Sequence, residues 1–149
     1  MDQKRAIIGK AKEVKPLIIN NETAKDVEKR ILIGKSNYGA PNFVMRLFTV
    51  KPGGYSPRHS HRWEHEIFIV EGKAEVYDGE KYNTVEAGSF VYVPGGIEHQ
   101  LKNAGDEELK FLCVIPTSAD EEWVFHKKWR NNEYIATFCL FYRKRFNYL

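Results

Sequence analysis

Between Ile31 and Pro116 the chain is cut into short apolar runs by turn-forming residues, and none of the runs keeps a helical period. The runs fall at 30–33, 43–50, 66–70, 73–77, 82–85, 90–93, 98–101 and 109–115. They are rich in Val, Ile, Phe and Tyr, residues that suit a pleated, half-buried surface. Between them stand Pro52-Gly53-Gly54, Asp78-Gly79, Ala87-Gly88, Pro94-Gly95-Gly96 and Ala104-Gly105-Asp106. The Asp78-Gly79 pair suits a tight hairpin, because glycine adopts positive φ without steric cost. Strands spaced about eight to twelve residues apart, with no helices between them, predict an all-β sandwich or barrel.

The 149 residues fit one domain, long enough to bury a core without disulfide staples. A composition of 42% hydrophobic and 29% charged residues excludes disordered, collagenous and coiled-coil classes. The sequence divides into an N-terminal arm (1–29), a β-barrel (30–116) and a C-terminal extension (117–149). Residues 20–29 are polar and read as a loop or a single helical turn. The extension is dense in aromatics, including Trp123, Phe125, Trp129, Phe138 and Phe146. Its 133–145 portion reads as a helical segment that covers the barrel or a subunit partner.

The net charge of +3 does not by itself call for a nucleic-acid partner. The basic cluster Arg143-Lys144-Arg145 is diluted by Asp120, Glu121, Glu122 and Glu133, and interleaved aromatics more often pack than stack on bases. Cys113 and Cys139 cannot form a disulfide framework, which points to a reducing compartment. No signal-peptide apolar run opens the sequence, and the longest uncharged apolar stretch, 134–142, is too short to cross a bilayer. The expectation is a cytoplasmic protein with no membrane partner.

Four of the five histidines fall in two blocks, GGYSPRHSHRWEHEIFIVEG (53–72) and GSFVYVPGGIEHQLKN (88–103). Imidazole is the commonest neutral metal ligand and needs little pKa change to serve. His59, His61 and His65 share one parity, so a regular strand points all three to one face. His99 follows a strand and a Pro-Gly-Gly turn, from which a sheet can return it to the same place. His126 lies outside both blocks and reads as a surface residue. Arg58, beside His59, reads as a surface arginine or as a guide for an anion. Cys113 reads as a small buried hydrophobe.

These blocks resemble the two motifs of the cupin superfamily, in particular small single-domain cupins with an all-histidine metal site. Gly53, His59, His61 and Gly72 fit the first motif; Gly88, Pro94, Gly96, His99 and Asn103 fit every position of the second. The position where the family usually has an acid is taken by His65. Glu66 fits only if the flanking gaps shift by one residue, and on a regular strand it faces away from His59 and His61. The expected ligands are therefore His59, His61, His65 and His99, with Glu66 in reserve should a bulge intervene at 62–64.

The resemblance implies a double-stranded β-helix, the jelly-roll cupin barrel, which encloses one metal and one small molecule. It also implies a homodimer, and it makes Cys113 a residue of the pocket wall. Four neutral imidazoles leave a divalent centre at +2, which favours anionic or enolate-like ligands and disfavours the trivalent metal. Octahedral Mn or Fe keeps two positions free, as would Co or Ni, and Cu is also compatible; tetrahedral Zn would be saturated. The reading is a metal-dependent oxidoreductase of the dioxygenase type. Its alternatives are a non-catalytic metal or small-ligand binding module, or a metal-dependent isomerase. Glu64, Glu66 and Glu98 are candidate acceptors for the second N–H of each imidazole.

Overall fold

A computed structural model describes residues 5–119. The site lies in the compact unit Met1–Thr117. Of the extension, only residues 117–119 are described, and they form a helical turn; His126, Cys139 and the 133–145 segment lie outside the described residues.

All eight expected strands are present. In chain order the elements are a 3-10 turn (Ala11–Glu13), β1 (Leu17–Ile19), β2 (Lys25–Ile33), a short helix α1 (Lys35–Tyr38) and β3 (Phe43–Tyr55). There follow β4 (His65–Glu71), β5 (Lys73–Tyr77), β6 (Tyr82–Glu86), β7 (Phe90–Val93), β8 (Gln100–Asn103) and β9 (Leu109–Pro116). The sheet runs β6-β5-β8-β3-β9-β4-β7, with β2 also on β3 and β1 on β2, and every pairing is antiparallel. It curls into the expected jelly-roll barrel. No helix among the described residues is long and apolar enough to cross a membrane.

Two expectations need correction. Residues 20–29 are not simply a loop: 25–29 open β2, and only the turn at 20–24 is irregular. There Asn21 Oδ1 accepts from the Thr23 N–H at 2.8 Å and the Ala24 N–H at 3.0 Å, side-chain bonding that favours a turn. Strand β2 shows no alternation because it is held by backbone pairing along β3, with Val27 alone among its side chains fully buried. The second correction concerns Pro52-Gly53-Gly54, which is a bend within β3 rather than a reversal. A Cβ on Gly54 would lie 2.7 Å from the Lys25 carbonyl oxygen and 2.8 Å from Val50 Cγ1, so only glycine lets the strands stay this close. Before the bend β3 pairs with β9 (Val50↔Leu109); after it, with β8 (Tyr55↔Lys102). The bend thus carries the chain from one side of the barrel to the other, toward His59.

The interior is built from cross-strand rows. Val50 faces Leu109, Phe48 faces Phe111, Arg46 faces Cys113 and Val44 faces Ile115. Strand β4 continues two of these rows, with Ile69 beside Phe111 and Ile67 beside Cys113. Val44, Val50, Ile69 and Leu109 are the largest fully buried side chains; burying each contributes about 1.5–3 kcal/mol. The Phe48 and Phe111 rings stack with centroids 4.9 Å apart. Asn103, the last residue of the second motif, is structural. Its Nδ2 donates to the Val50 and Glu107 carbonyls (2.9 and 2.8 Å), tying β3 to the turn before β9.

Candidate metal centre

The site begins with a backbone contact. His59 and His99 form an isolated antiparallel bridge: the His99 N–H donates to the His59 carbonyl at 2.9 Å, and the His59 N–H to the His99 carbonyl at 3.2 Å. Two donors far apart in the chain are thereby fixed side by side. His61 follows on a loop, because β4 starts only at His65. The Gly96 N–H donates to the His61 carbonyl, 2.6 Å away, and the His61 ring stacks on Trp63 at 4.0 Å and 8°. A Cβ on the adjacent Gly95 would collide with the Arg62 carbonyl at 2.1 Å, so the Pro-Gly-Gly turn must carry glycine there for the His61 loop to rest on it. His65 heads β4 and is buried at 8% exposure, while Glu66 is exposed on the other face.

The ring nitrogens of His59, His61 and His99 all lie within 4.8 Å of one another, a group that could hold a metal ion. The His65 ring joins them, its Nε2 being 2.7 Å from His61 Nε2. Its centroid is 4.6 Å from that of His61 and 4.8 Å from that of His99.

The hydrogen bonds around the rings decide which nitrogens are free. His61 Nδ1 lies 2.9 Å from the Trp63 carbonyl and His99 Nδ1 lies 2.9 Å from the Ile97 carbonyl. A carbonyl only accepts, so both Nδ1 atoms carry the proton and both Nε2 atoms keep a lone pair. That is the donor chemistry a divalent transition ion requires. The acceptors are backbone oxygens and not the glutamates expected from sequence. Glu98 is paired with Arg58 at 2.9 Å, and Glu64 accepts from the Tyr92 hydroxyl at 2.7 Å. Arg58, also stacked over the Tyr77 ring at 3.9 Å, is committed to that pair.

Burial sets the protonation. It pushes His59 down to about 4, with repulsion from a charged His99, His61 or Arg46 adding to it. Burial likewise holds His61 at about 4 against the opposing Trp63 carbonyl, and it lowers His99. His65 falls furthest, to about 2, through burial and then the Arg46 cation. All four rings are therefore neutral at pH 7 and ready to ligate without losing a proton.

Sequence reasoning missed Arg46. Its Nη2 donates to Cys113 Sγ at 2.9 Å and to His65 Nδ1 at 3.3 Å. Cys113 Sγ also lies 3.0 Å from His65 Nδ1, so the buried thiol abuts the site, and burial raises its pKa. The signal for Arg46 was parity, since it shares its face of β3 with Val44, Phe48 and Val50.

A small jelly-roll barrel with converging, neutral imidazoles defines a class of small-molecule and metal-binding proteins. The chain belongs to the cupin family: residues 46–115 match the Cupin domain (Cupin_2). The polyketide cyclase RemF from Streptomyces resistomycificus superposes with a TM-score of 0.69 at 30% identity, covering 76% of this chain and 80% of that one. The oxalate-binding protein of Thermotoga maritima is 29% identical over 121 residues, 77% of this chain and 98% of that protein. The 1-methylthio-D-xylulose 5-phosphate methylsulfurylase of Rhodospirillum rubrum is 32% identical over 77 residues, which is 52% of this chain. The match to that enzyme spans only 49% of its length.

Proposed function

We propose that this protein is a metal-dependent cupin that acts on a small molecule at a four-histidine centre of His59, His61, His65 and His99. The observation that supports it best is the pair of Nδ1–H···O=C bonds at His61 and His99, which aims their Nε2 lone pairs inward. His65 in place of a carboxylate makes the donor set neutral. The ion, when bound, supplies positive charge to polarise an oxygen of the ligand. His65 and His99 are buried while His59 and His61 stay half-open to the outside, and Trp63 holds His61 by stacking. Mn or Fe fits best, because octahedral coordination leaves room for a ligand beside four imidazoles.

In its redox form the activity is that of a dioxygenase. A second reading, Lewis-acid chemistry without redox change, is favoured by the likeness to a polyketide cyclase, by the neutral ligand set, and by the Arg46 cation, which opposes a trivalent metal. A ligand-binding role without turnover is the third, in keeping with the oxalate-binding relative. We further propose a homodimer, supported by strands β1, β6 and β7, each paired along one edge only among the described residues, with Leu17, Ile18 and Phe90 exposed.

Elemental analysis of protein purified without chelator, with EPR, tests the centre. Near-stoichiometric Mn or Fe, abolished in His99→Ala, supports it; failure to take up any metal on reconstitution overturns it. Oxygen consumption with enolate-like substrates then separates the dioxygenase from the redox-neutral readings.

A further inference from the structure

Among the inward rows of β3, β4 and β9 described above, Arg46 carries the one permanent charge. Its Nε is buried without a hydrogen-bond partner. The Phe48 ring lies 5.1 Å from the guanidinium carbon, and Nη2 reaches only a sulfur and an imidazole nitrogen. No described carboxylate pairs with it, and Glu64 and Glu98, which flank the histidine motifs, are engaged with Tyr92 and Arg58. A guanidinium cannot escape the cost of burial by losing its proton, so the charge persists.

Metal binding makes the deficit larger. For His65 Nε2 to face a cation, the ring proton must sit on Nδ1, and a protonated Nδ1 can no longer accept from Arg46. Nε then still has no partner, and Nη2 keeps one weak acceptor, Cys113 Sγ. What is missing is an anion.

We propose that Arg46 is the anion-binding residue of this barrel and that its ligand is a compact small molecule bearing a carboxylate or phosphate group. The planar guanidinium matches such oxygens two at a time. Arg46 contacts the His65 ring directly, so an anion held there is separated from the imidazole cluster by the guanidinium and that one ring. The ligand therefore places its anionic group and its metal-directed donor only a few bonds apart, as in a 2-oxo acid or a small phosphorylated carbonyl compound. This second half rests on the metal centre proposed above; the anion site itself does not.

Calorimetry on the full chain, both Mn(II)-loaded and metal-free, tests the assignment with pyruvate, inorganic phosphate and the neutral ester methyl pyruvate. Arg46→Gln is expected to weaken pyruvate or phosphate binding by about 10-fold or more, the worth of a charged hydrogen bond, while methyl pyruvate and metal content stay unchanged. Whichever anion loses more identifies carboxylate or phosphate as the preferred group. Arg46→Met is expected to melt no lower than the wild type, since it removes an unpaired charge from an apolar row. Equal anion affinity in wild type and Arg46→Gln overturns the proposal, as does failure of both anions to bind the wild type. A lower melting point in Arg46→Met together with lost metal also overturns it, by assigning Arg46 to holding His65. Should the wild type take up no metal while its metal-free form still binds anions through Arg46, the metal reading fails and this one stands.

Discussion

His65 and Glu66 are neighbours in the chain and opposites in the barrel. One step along β4 turns a buried imbalance of charge into an exposed one, and the strand places the neutral ring inside. His65→Ala is expected to lower metal occupancy by about 10-fold or more, whereas Glu66→Ala leaves it nearly intact; elemental analysis of the two variants checks the ranking. Parity favours His65 on the premise of one regular strand through His59 and His61; residues 60–64 form a loop instead, and His65 faces inward because it opens β4 on that strand's buried face. Arg46 was legible by parity within β3, standing among Val44, Phe48 and Val50. It escaped notice because a lone arginine in an apolar run is ordinarily taken to point outward. The imidazole acceptors were not legible, because the Trp63 and Ile97 carbonyls have no signature in side-chain identity.

Among the elements, strands with apolar alternation and glycine-marked ends were readable, as for β4 through β9. Strand β1 and the start of β2 were not: β1 is only three residues long with Leu17 and Ile18 exposed, and β2 opens on polar residues held by backbone pairing. Asp26 marks the irregularity: its φ of 52° falls where the register of β2 on β3 shifts. Aspartate tolerates this left-handed conformation and a β-branched residue does not. Asp26→Val is expected to destabilise by about 1–2 kcal/mol and Asp26→Gly hardly at all, as read by urea denaturation. The turn before His99 should be less forgiving. Gly95→Ala drives a methyl group into the Arg62 carbonyl and displaces the His61 loop. Its metal affinity is expected to fall about 10-fold or more, though every ligand is still encoded. A wild-type metal isotherm for Gly95→Ala would show that the loop adapts.

For the molecule as a whole, the buried imidazoles make stability depend on pH. In the unfolded chain they take up protons near pH 6.5; in the fold His59 and His61 do so only near 4, and His65 near 2. Between those values the unfolded chain binds more protons. Stability of the metal-free protein is therefore full above about pH 6.5 and falls as the pH drops toward 4. Urea midpoints in chelator at pH 7.5 and 5 should show the loss, and identical midpoints would contradict the buried, neutral cluster. Saturating metal adds stability by mass action, about 2.7 kcal/mol at a hundredfold excess over its dissociation constant. A thermal midpoint that ignores added Mn(II) would contradict the site. The barrel as a class was readable at this scale from strand spacing and turn chemistry, before any packing was known.

The bridge between His59 and His99 has a consequence for the order of events in the cell. The two donors are separated by the whole of β4 through β7, so closing them costs chain entropy that only a nearly complete barrel repays. A ribosome must release the strand that follows His99 before the pair can meet. Until then the nascent chain offers scattered imidazoles with no shared centre. An ion bound at the proposed centre would therefore be acquired late in the biogenesis of this protein, and its presence would report that the barrel has closed.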